Sequence, residues 1–127
     1  MKREYNIYLS DELVGKTELE YADPPMGVIF GKITSTGSDF GYDFLKDYCK
    51  DHEVEIRADY RGDRFIATAK LPSLKVVNSE GVEIRGVGNQ ISGRDQEGFE
   101  ISIEGVPYPL FETEFPEQVK AYHKKFE

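Results

Sequence analysis

The sequence predicts an α+β fold in which a largely antiparallel β-sheet of about seven to nine strands carries two helices. Two kinds of pattern predict it. Several short segments alternate apolar and polar residues with the period of a strand, and two longer segments repeat apolar residues with the period of a helix. The chain has 127 residues without a linker, internal repeat or low-complexity tract, so we expect a single domain over residues 1–127.

Three strands are predicted in the N-terminal third of the chain, and we expect them to form a meander. Residues 5–9 alternate, and residues 13–21 resume the alternation after a short turn. In that second strand Glu18 and Glu20 share one face. The opposite face is expected to hold Thr17, Leu19 and Tyr21. Prolines end this strand, and the more apolar residues 26–33 form the third.

A helix is predicted from about residue 38 to residue 51, with Thr36 or Ser38 as its N-cap and Asp39 in its first turn. Its apolar residues recur with helical spacing. They are Phe40, Phe44, Leu45, Tyr48 and Cys49. Charged residues occupy the other side, as expected for a helix that packs on a sheet.

The remaining segments predict further strands and a second helix. Residues 54–60 and 64–71 alternate around a short glycine turn and are predicted to form a hairpin. A second hairpin is predicted over 74–77 and 81–84, whereas the glycine-rich segment 85–98 has no regular pattern. Residues 99–106 predict a strand. A helix follows from about residue 114 to residue 125, with a buried side marked by Phe115, Val119, Tyr122 and Phe126.

Charge and cysteine content exclude several functional classes. The formal charge is −8, which disfavours nucleic-acid binding and favours a basic protein partner. A single cysteine excludes an intrachain disulfide and CxxC zinc sites. No stretch approaches the ~20 apolar residues of a membrane helix. No apolar region follows the first basic residues, so we expect no secretory signal and a cytoplasmic location.

No group of side chains in the sequence points to catalysis, a cofactor or a metal. Cys49 lies in an apolar stripe and is expected to be a buried hydrophobe rather than a nucleophile activated by His52. His52 suits the negative end of its helix, and His123 is expected to be solvated. Residues 95–98 lack the spacing of a calcium loop, and Gly86-Val87-Gly88 lacks the third glycine of a dinucleotide loop.

The distribution of acidic residues is the feature that points to a function. Seven acids and no basic residue lie between positions 95 and 119: Asp95, Glu97, Glu100, Glu104, Glu112, Glu114 and Glu117. Alternation places Glu100 and Glu104 on the same face, as it does Glu18 and Glu20. If the two strands are neighbours, the four glutamates form a single negative surface. Such a surface either serves solubility or binds a basic partner.

Two segments resemble a group of small bacterial proteins. They are ELVGKTELEYADPPMGVIFGKI (12–33), with its DPPMGVxFG run, and GVPYPLFETEFPEQVKAYHKKF (105–126), with its FPxxVxxY helix. The resemblance covers about a third of the chain and implies no established activity, so it assigns no catalytic residue. By analogy, small acidic bacterial proteins of this kind are similar to the immunity proteins encoded beside polymorphic toxins.

The segment from Asp23 to Gly27 is expected to form a stiff loop, because two prolines fix φ and Gly27 allows an unusual backbone angle. A structural corner explains this motif, with Asp23 accepting hydrogen bonds from nearby backbone N–H groups. Alternatively, Met26 is exposed beside the rigid turn and contacts a protein partner.

The sequence therefore predicts a non-enzymatic protein-binding module without a cofactor, and most concretely an immunity protein that neutralises a basic toxin domain by occlusion. The predicted contact residues are Glu18, Glu20, Asp23, Met26, Glu100 and Glu104. Two alternatives remain. One is a small-ligand-binding protein or enzyme with a pocket near residues 85–98, and the other is a structural subunit of a larger assembly.

Overall fold

The computed structural model describes residues 4–36, 39–107 and 113–125. Within these residues nine strands form one antiparallel sheet that carries two helices, which confirms the predicted α+β fold. The strands are β1 (Tyr5–Leu9), β2 (Glu12–Thr17), β3 (Tyr21–Asp23), β4 (Val28–Ser35), β5 (Ile56–Tyr60), β6 (Phe65–Thr68), β7 (Leu74–Val77), β8 (Gly88–Arg94) and β9 (Gly98–Glu104). The helices are α1 (Tyr42–Asp51) and α2 (Pro116–Lys125). Neither helix is long and apolar enough to cross a membrane.

Strand β4 occupies a central position in the sheet. The strand order is β5-β6-β8-β9-β4-β2-β1-β7, and β3 pairs with β4 beside this path. Residues 29–33 of β4 pair with β9 along one edge. On its other edge, β4 pairs with β3 near its beginning and with β2 at its end. The predicted N-terminal meander and the hairpin of β5 and β6 are both confirmed.

The sheet has an inner face that carries the core and an outer face. On β9, Phe99, Ile101 and Ile103 are buried on the inner face, so the residues between them point outward. Helix α1 packs on the inner face through Leu45 and Cys49, which are fully buried. The C-terminal segment packs there as well, since the buried ring of Phe115 lies 5.9 Å from that of Tyr5 on β1.

The single strand predicted over 13–21 is wrong, because the chain leaves the extended conformation between β2 and β3. Leu19 is fully buried and adopts a left-handed backbone angle, φ +46°. This angle is uncommon for leucine and inserts a bulge that reverses the alternation. Tyr21, predicted on the same face as Thr17 and Leu19, lies instead on the outer face, where it stacks on Phe30 at 5.4 Å.

The glycine-rich segment is more regular than predicted. Residues 88–94 form β8, which pairs with β6 on one edge and β9 on the other. The alternation of apolar and polar residues is weak here because Gly88 and Gly93 have no side chain that could show which face of the strand is buried. The predicted second hairpin is reduced to β7, one isolated bridge between Val77 and Glu83, and a hydrogen bond from the Ile84 N–H to the Val76 carbonyl.

Helix α1 begins later than predicted and is not capped by Thr36. The Thr36 hydroxyl donates to the Leu13 carbonyl, so this residue extends the contact between β2 and β4. Gly41 occupies the N-cap position and the helix begins at Tyr42, a buried residue that the predicted stripe omitted. The other predicted cap, Ser38, and Phe126 of the C-terminal helix lie outside the described residues. Helix α1 ends at Asp51, as predicted.

Candidate protein-binding surface

The six predicted contact residues occupy two neighbouring regions of the outer surface. Glu18 and Glu20 belong to the bulge between β2 and β3, Asp23 is the last residue of β3, and Met26 belongs to the connection between β3 and β4. On the other side of β4, the strand β9 carries the remaining two, Glu100 and Glu104.

The bulge is held by side chains that replace missing strand-to-strand hydrogen bonds. The Leu19 N–H donates to Thr17 Oγ1 at 3.2 Å, and the Lys32 N–H of β4 donates to Glu20 Oε1 at 3.2 Å. Gln118 of α2 donates its side-chain amide to the Leu19 carbonyl, also at 3.2 Å. Backbone groups near the core need such partners. Glu20 therefore has a structural role, whereas Glu18 is exposed beside it.

Gly31 makes room for this bulge. A Cβ atom on Gly31 would lie 2.6 Å from Thr17 Oγ1 and 2.8 Å from the Leu19 Cα, and it would also clash with Glu20 Oε1. These approaches are shorter than van der Waals contact. Much of the run from Gly15 to Gly31 thus builds the bulge and the β3–β4 corner.

An open depression with a volume of about 240 Å³ lies beside the bulge. It is lined by Glu4, Lys16, Thr17, Glu18, Glu20, Lys32 and Thr34. Lys16 forms an ion pair with Glu4 at 3.2 Å. The depression is therefore a site of mixed charge, and none of its lining residues belongs to the segment 85–98, near which a ligand pocket was predicted.

The two pairs of glutamates are not on neighbouring strands, because β4 lies between them. Lys32 of β4 stands directly opposite Glu100 of β9, and its N–H is bound by Glu20 on the other side. Glu104 lies further along β9, opposite Gly88, and accepts a hydrogen bond from the Gln90 side chain. The expected negative surface is thus divided, with carboxylates on both sides of a central lysine.

Two exposed apolar side chains lie at the end of the sheet next to Asp23 and Glu104. Met26 is 68% exposed and Val87 is 71% exposed. The Val106 N–H donates to the Gly27 carbonyl at 2.9 Å, and the Val87 N–H donates to the Glu104 carbonyl at 2.6 Å. These bonds bring the two turns to the same end of the molecule. Met26 was predicted as a contact, whereas nothing in the local sequence distinguishes Val87.

Cys49 and His52 do not form a nucleophile and base. Cys49 is buried, and desolvation raises the pKa of its thiol, which disfavours the reactive thiolate. His52 stacks on Tyr48 at 4.0 Å and its Nδ1 lies 3.0 Å from the Tyr48 carbonyl. In the described part of the chain no three metal-ligating side chains converge. The side chain of His123 lies outside that part.

Asp95 lies in the exposed turn between β8 and β9 and binds the start of α1. Its Oδ1 accepts the Tyr42 N–H at 2.9 Å and its Oδ2 accepts the Arg64 Nε–H at 2.6 Å. The Tyr42 N–H, and after it Arg64, lower the pKa of Asp95. The Tyr42 hydroxyl, and after it Lys46, likewise lower the pKa of Asp59 on β5. Because Tyr42 is buried, this polar network is best explained as a clamp that holds α1 on the sheet.

Comparison with protein-family models, with curated proteins and with solved structures found no match for this chain.

Proposed function

We propose that this protein is a non-enzymatic binding module that recognises a basic protein through the outer face of its sheet. The observation that carries the proposal is the position of four carboxylates, of which Glu18 and Asp23 are exposed and Glu100 and Glu104 are half-buried. Glu18, Glu100 and Glu104 lie on the face opposite the helices, around β4, and Asp23 lies at the end of the same face. Surfaces that carry one sign of charge attract partners of the other sign.

The proposed mechanism is occlusion after electrostatic steering. The carboxylates raise the rate at which a surface rich in lysine and arginine finds the outer face, and buried contacts then set the lifetime of the complex. Lys32 supplies a fixed positive charge within the surface, which favours a partner with an acidic or neutral group at that point. The partner would be neutralised because its own functional surface is covered.

The most concrete form of this proposal is an immunity protein that acts on a basic toxin domain in a bacterial cytoplasm. The support is the acidic charge of −8, the short chain of 127 residues and the resemblance of the two terminal segments.

Capture of a partner from the protein's own host tests the proposal. The tagged full-length chain, its Glu100→Lys/Glu104→Lys variant and an Asp47→Lys/Asp51→Lys control are incubated with lysate and washed at low and high salt. Asp47 and Asp51 are exposed on α1, so the control changes the total charge equally but leaves the outer face intact. We expect one basic protein, retained by the wild type and the control at low salt and weakened at high salt. Recovery of no specific protein, or equal retention by both variants, would contradict the proposal.

The second candidate function is small-molecule binding, which the mixed-charge depression favours. Its volume of about 240 Å³ suits a small polar metabolite. A thermal-shift screen against metabolites and nucleotides separates this function from the first, because a specific ligand stabilises the folded chain further as its concentration rises above Kd.

A further inference from the structure

We propose that the outer face of the sheet binds an arginine side chain of the basic partner, whose guanidinium stacks on the Phe30 ring between Glu100 and Glu104. This inference rests on the proposed function and specifies the chemistry that the partner presents at one point. The residues that would surround the guanidinium are called the arginine site below. They are Phe30, Gln90, Glu100, Ser102 and Glu104.

The outer face carries two aromatic pairs with the same arrangement. Tyr21 of β3 stands opposite Phe30 of β4, and their ring centroids are 5.4 Å apart at an interplanar angle of 26°. Tyr60 of β5 stands opposite Phe65 of β6, with centroids 5.7 Å apart at 35°. Each tyrosine is exposed, and each phenylalanine is half-buried and has a further strand on its other side.

An arginine of the chain completes one of these pairs. Arg94 of β8 stands directly opposite Phe65, and its Cζ lies 5.4 Å from the ring centroid. Cations are attracted to the face of an aromatic ring, and arginine makes this contact most often. Opposite Phe30, the equivalent position on β9 is held by Ser102. Among the described residues no cationic side chain lies over the ring of Phe30, so that ring can receive a cation from outside the chain.

Two carboxylates flank the position that corresponds to Arg94. Ser102 lies between Glu100 and Glu104 on β9, and side chains two residues apart on a strand point to the same face. On the far side, Gln90 of β8 stands opposite Ser102 and donates its side-chain amide to Glu104. Arginine is favoured over lysine here because its planar guanidinium stacks on a ring and binds carboxylates through several N–H groups at once.

The two lysines near the arginine site occupy other positions. Lys32 stands opposite Glu100, and it lines the depression beside the bulge together with both glutamates of the bulge. The side chain of Lys70 lies over Gly88, which stands opposite Glu104. Neither lysine belongs to the row of the aromatic pair, so neither takes the place between the two carboxylates. The surface is mixed in charge as a whole, but a cation is favoured at this point.

A blocked amino acid tests the arginine site without the partner. The full-length chain is titrated with N-acetyl-arginine amide and with N-acetyl-lysine amide at low salt, and binding is followed by NMR at the Ser102 amide and the Phe30 ring. We expect the arginine probe to bind about fivefold more tightly than the lysine probe. Equal binding of the two probes would show carboxylates that attract any cation, and would overturn the inference.

Phe30→Leu and Phe65→Leu form a matched pair of variants. Leucine keeps the apolar character but removes the aromatic face, and both rings are half-buried on the outer face beside a tyrosine. Phe30→Leu should weaken binding of the arginine probe about fivefold, whereas Phe65→Leu should bind it like the wild type. Equal effects of the two variants would contradict stacking on Phe30.

Ser102→Arg supplies the arginine from within the chain and keeps the Phe30 ring intact. Its control is Ser92→Arg, which adds the same charge opposite Glu100 but has Ala67 as its other neighbour. We expect Ser102→Arg to abolish the response to the arginine probe and to unfold about 3 °C above Ser92→Arg. Equal midpoints together with a retained response would refute the arginine site.

The basic protein captured from the host separates failure of the arginine site from failure of the proposed function. We expect Phe30→Leu to speed dissociation of this protein about fivefold and Phe65→Leu to leave it unchanged. If Phe30→Leu dissociates at the wild-type rate while Glu100→Lys/Glu104→Lys slows association, the arginine site is refuted and the proposed function stands. If the arginine probe binds at Phe30 but no basic protein is captured, the proposed function fails, and a protein as the source of the arginine fails with it.

Discussion

Asp95 is the clearest example of a single side chain that links distant parts of the molecule. It comes from the turn between β8 and β9, yet its two carboxylate oxygens bind the first N–H of α1 and the guanidinium of Arg64. Gly41 at the N-cap has no side chain to bind that N–H, so a residue 53 positions away supplies the acceptor. A carboxylate also suits the positive end of a helix.

We predict that Asp95→Ala lowers the free energy of unfolding by about 1–2 kcal/mol at neutral pH, as the loss of a helix cap does. The pKa of Asp95 is lowered in the folded protein, so its ionised form is stabilised by folding. This contribution is complete above the ordinary carboxyl pKa and is lost as the pH falls through the folded value. Urea unfolding should therefore show a difference between wild type and variant that shrinks as the pH is lowered below about 4.

Glu97→Ala is the matched control, because Glu97 is exposed in the same turn and lies 3.7 Å from Arg94. We expect it to change stability by less than about 0.5 kcal/mol. A difference for Asp95→Ala that stays constant over the acidic range would show that the charge of Asp95 does not contribute.

Among the elements, the bulge between β2 and β3 has the largest consequences for the surface. It turns the Leu19 side chain into the core and the Tyr21 side chain to the outer face. It also places the Glu20 carboxylate where it accepts the Lys32 N–H of β4, a bond that a strand carbonyl would otherwise make. The C-terminal helix stabilises the bulge through the Gln118 side chain, which donates a hydrogen bond to the Leu19 carbonyl. The outer surface near Glu18 therefore depends on a bulge that Gly31 must accommodate.

We predict that Gly31→Ala destabilises the protein by about 1–3 kcal/mol, in the range of overpacking in a core. The added methyl group would meet Thr17, Leu19 and Glu20, which the fold holds in place. Gly62→Ala is the control, since a Cβ atom there has no heavy atom within 4 Å and φ is not in the left-handed region. Equal unfolding midpoints for the two variants in denaturant would contradict the role given to Gly31.

The strands that alternate regularly could be predicted from the sequence, and those shaped by special backbone angles could not. Residues 5–9 and 99–103 bury every second side chain, so periodicity located them correctly. The bulge at Leu19 leaves no trace in the pattern, because a left-handed leucine is dictated by packing rather than by propensity. The same limit applies to the candidate site, because its arrangement depends on contacts between segments that are distant in the sequence. Strand pairing places Lys32 between the two pairs of glutamates, and a backbone hydrogen bond joins the Val87 N–H to the Glu104 carbonyl.

At the scale of the whole molecule, the core and the proposed binding surface lie on opposite faces of the sheet. Both helices and the core lie on the inner face, while the carboxylates of Glu18, Glu100 and Glu104 lie on the outer face. Substitutions on the outer face should therefore change binding with little effect on unfolding. This separation makes the proposed function accessible to charge-reversal experiments in the intact protein.

The most direct test of the central claim is the association rate of the captured basic partner, measured by stopped flow over a range of ionic strength. We predict that Glu100→Lys/Glu104→Lys lowers this rate about tenfold at low salt and weakens its dependence on salt, because steering by exposed charge is screened by ions. The Asp47→Lys/Asp51→Lys control should keep most of the wild-type rate. An association rate that is the same for wild type and for Glu100→Lys/Glu104→Lys at every ionic strength would contradict recognition through the acidic outer face.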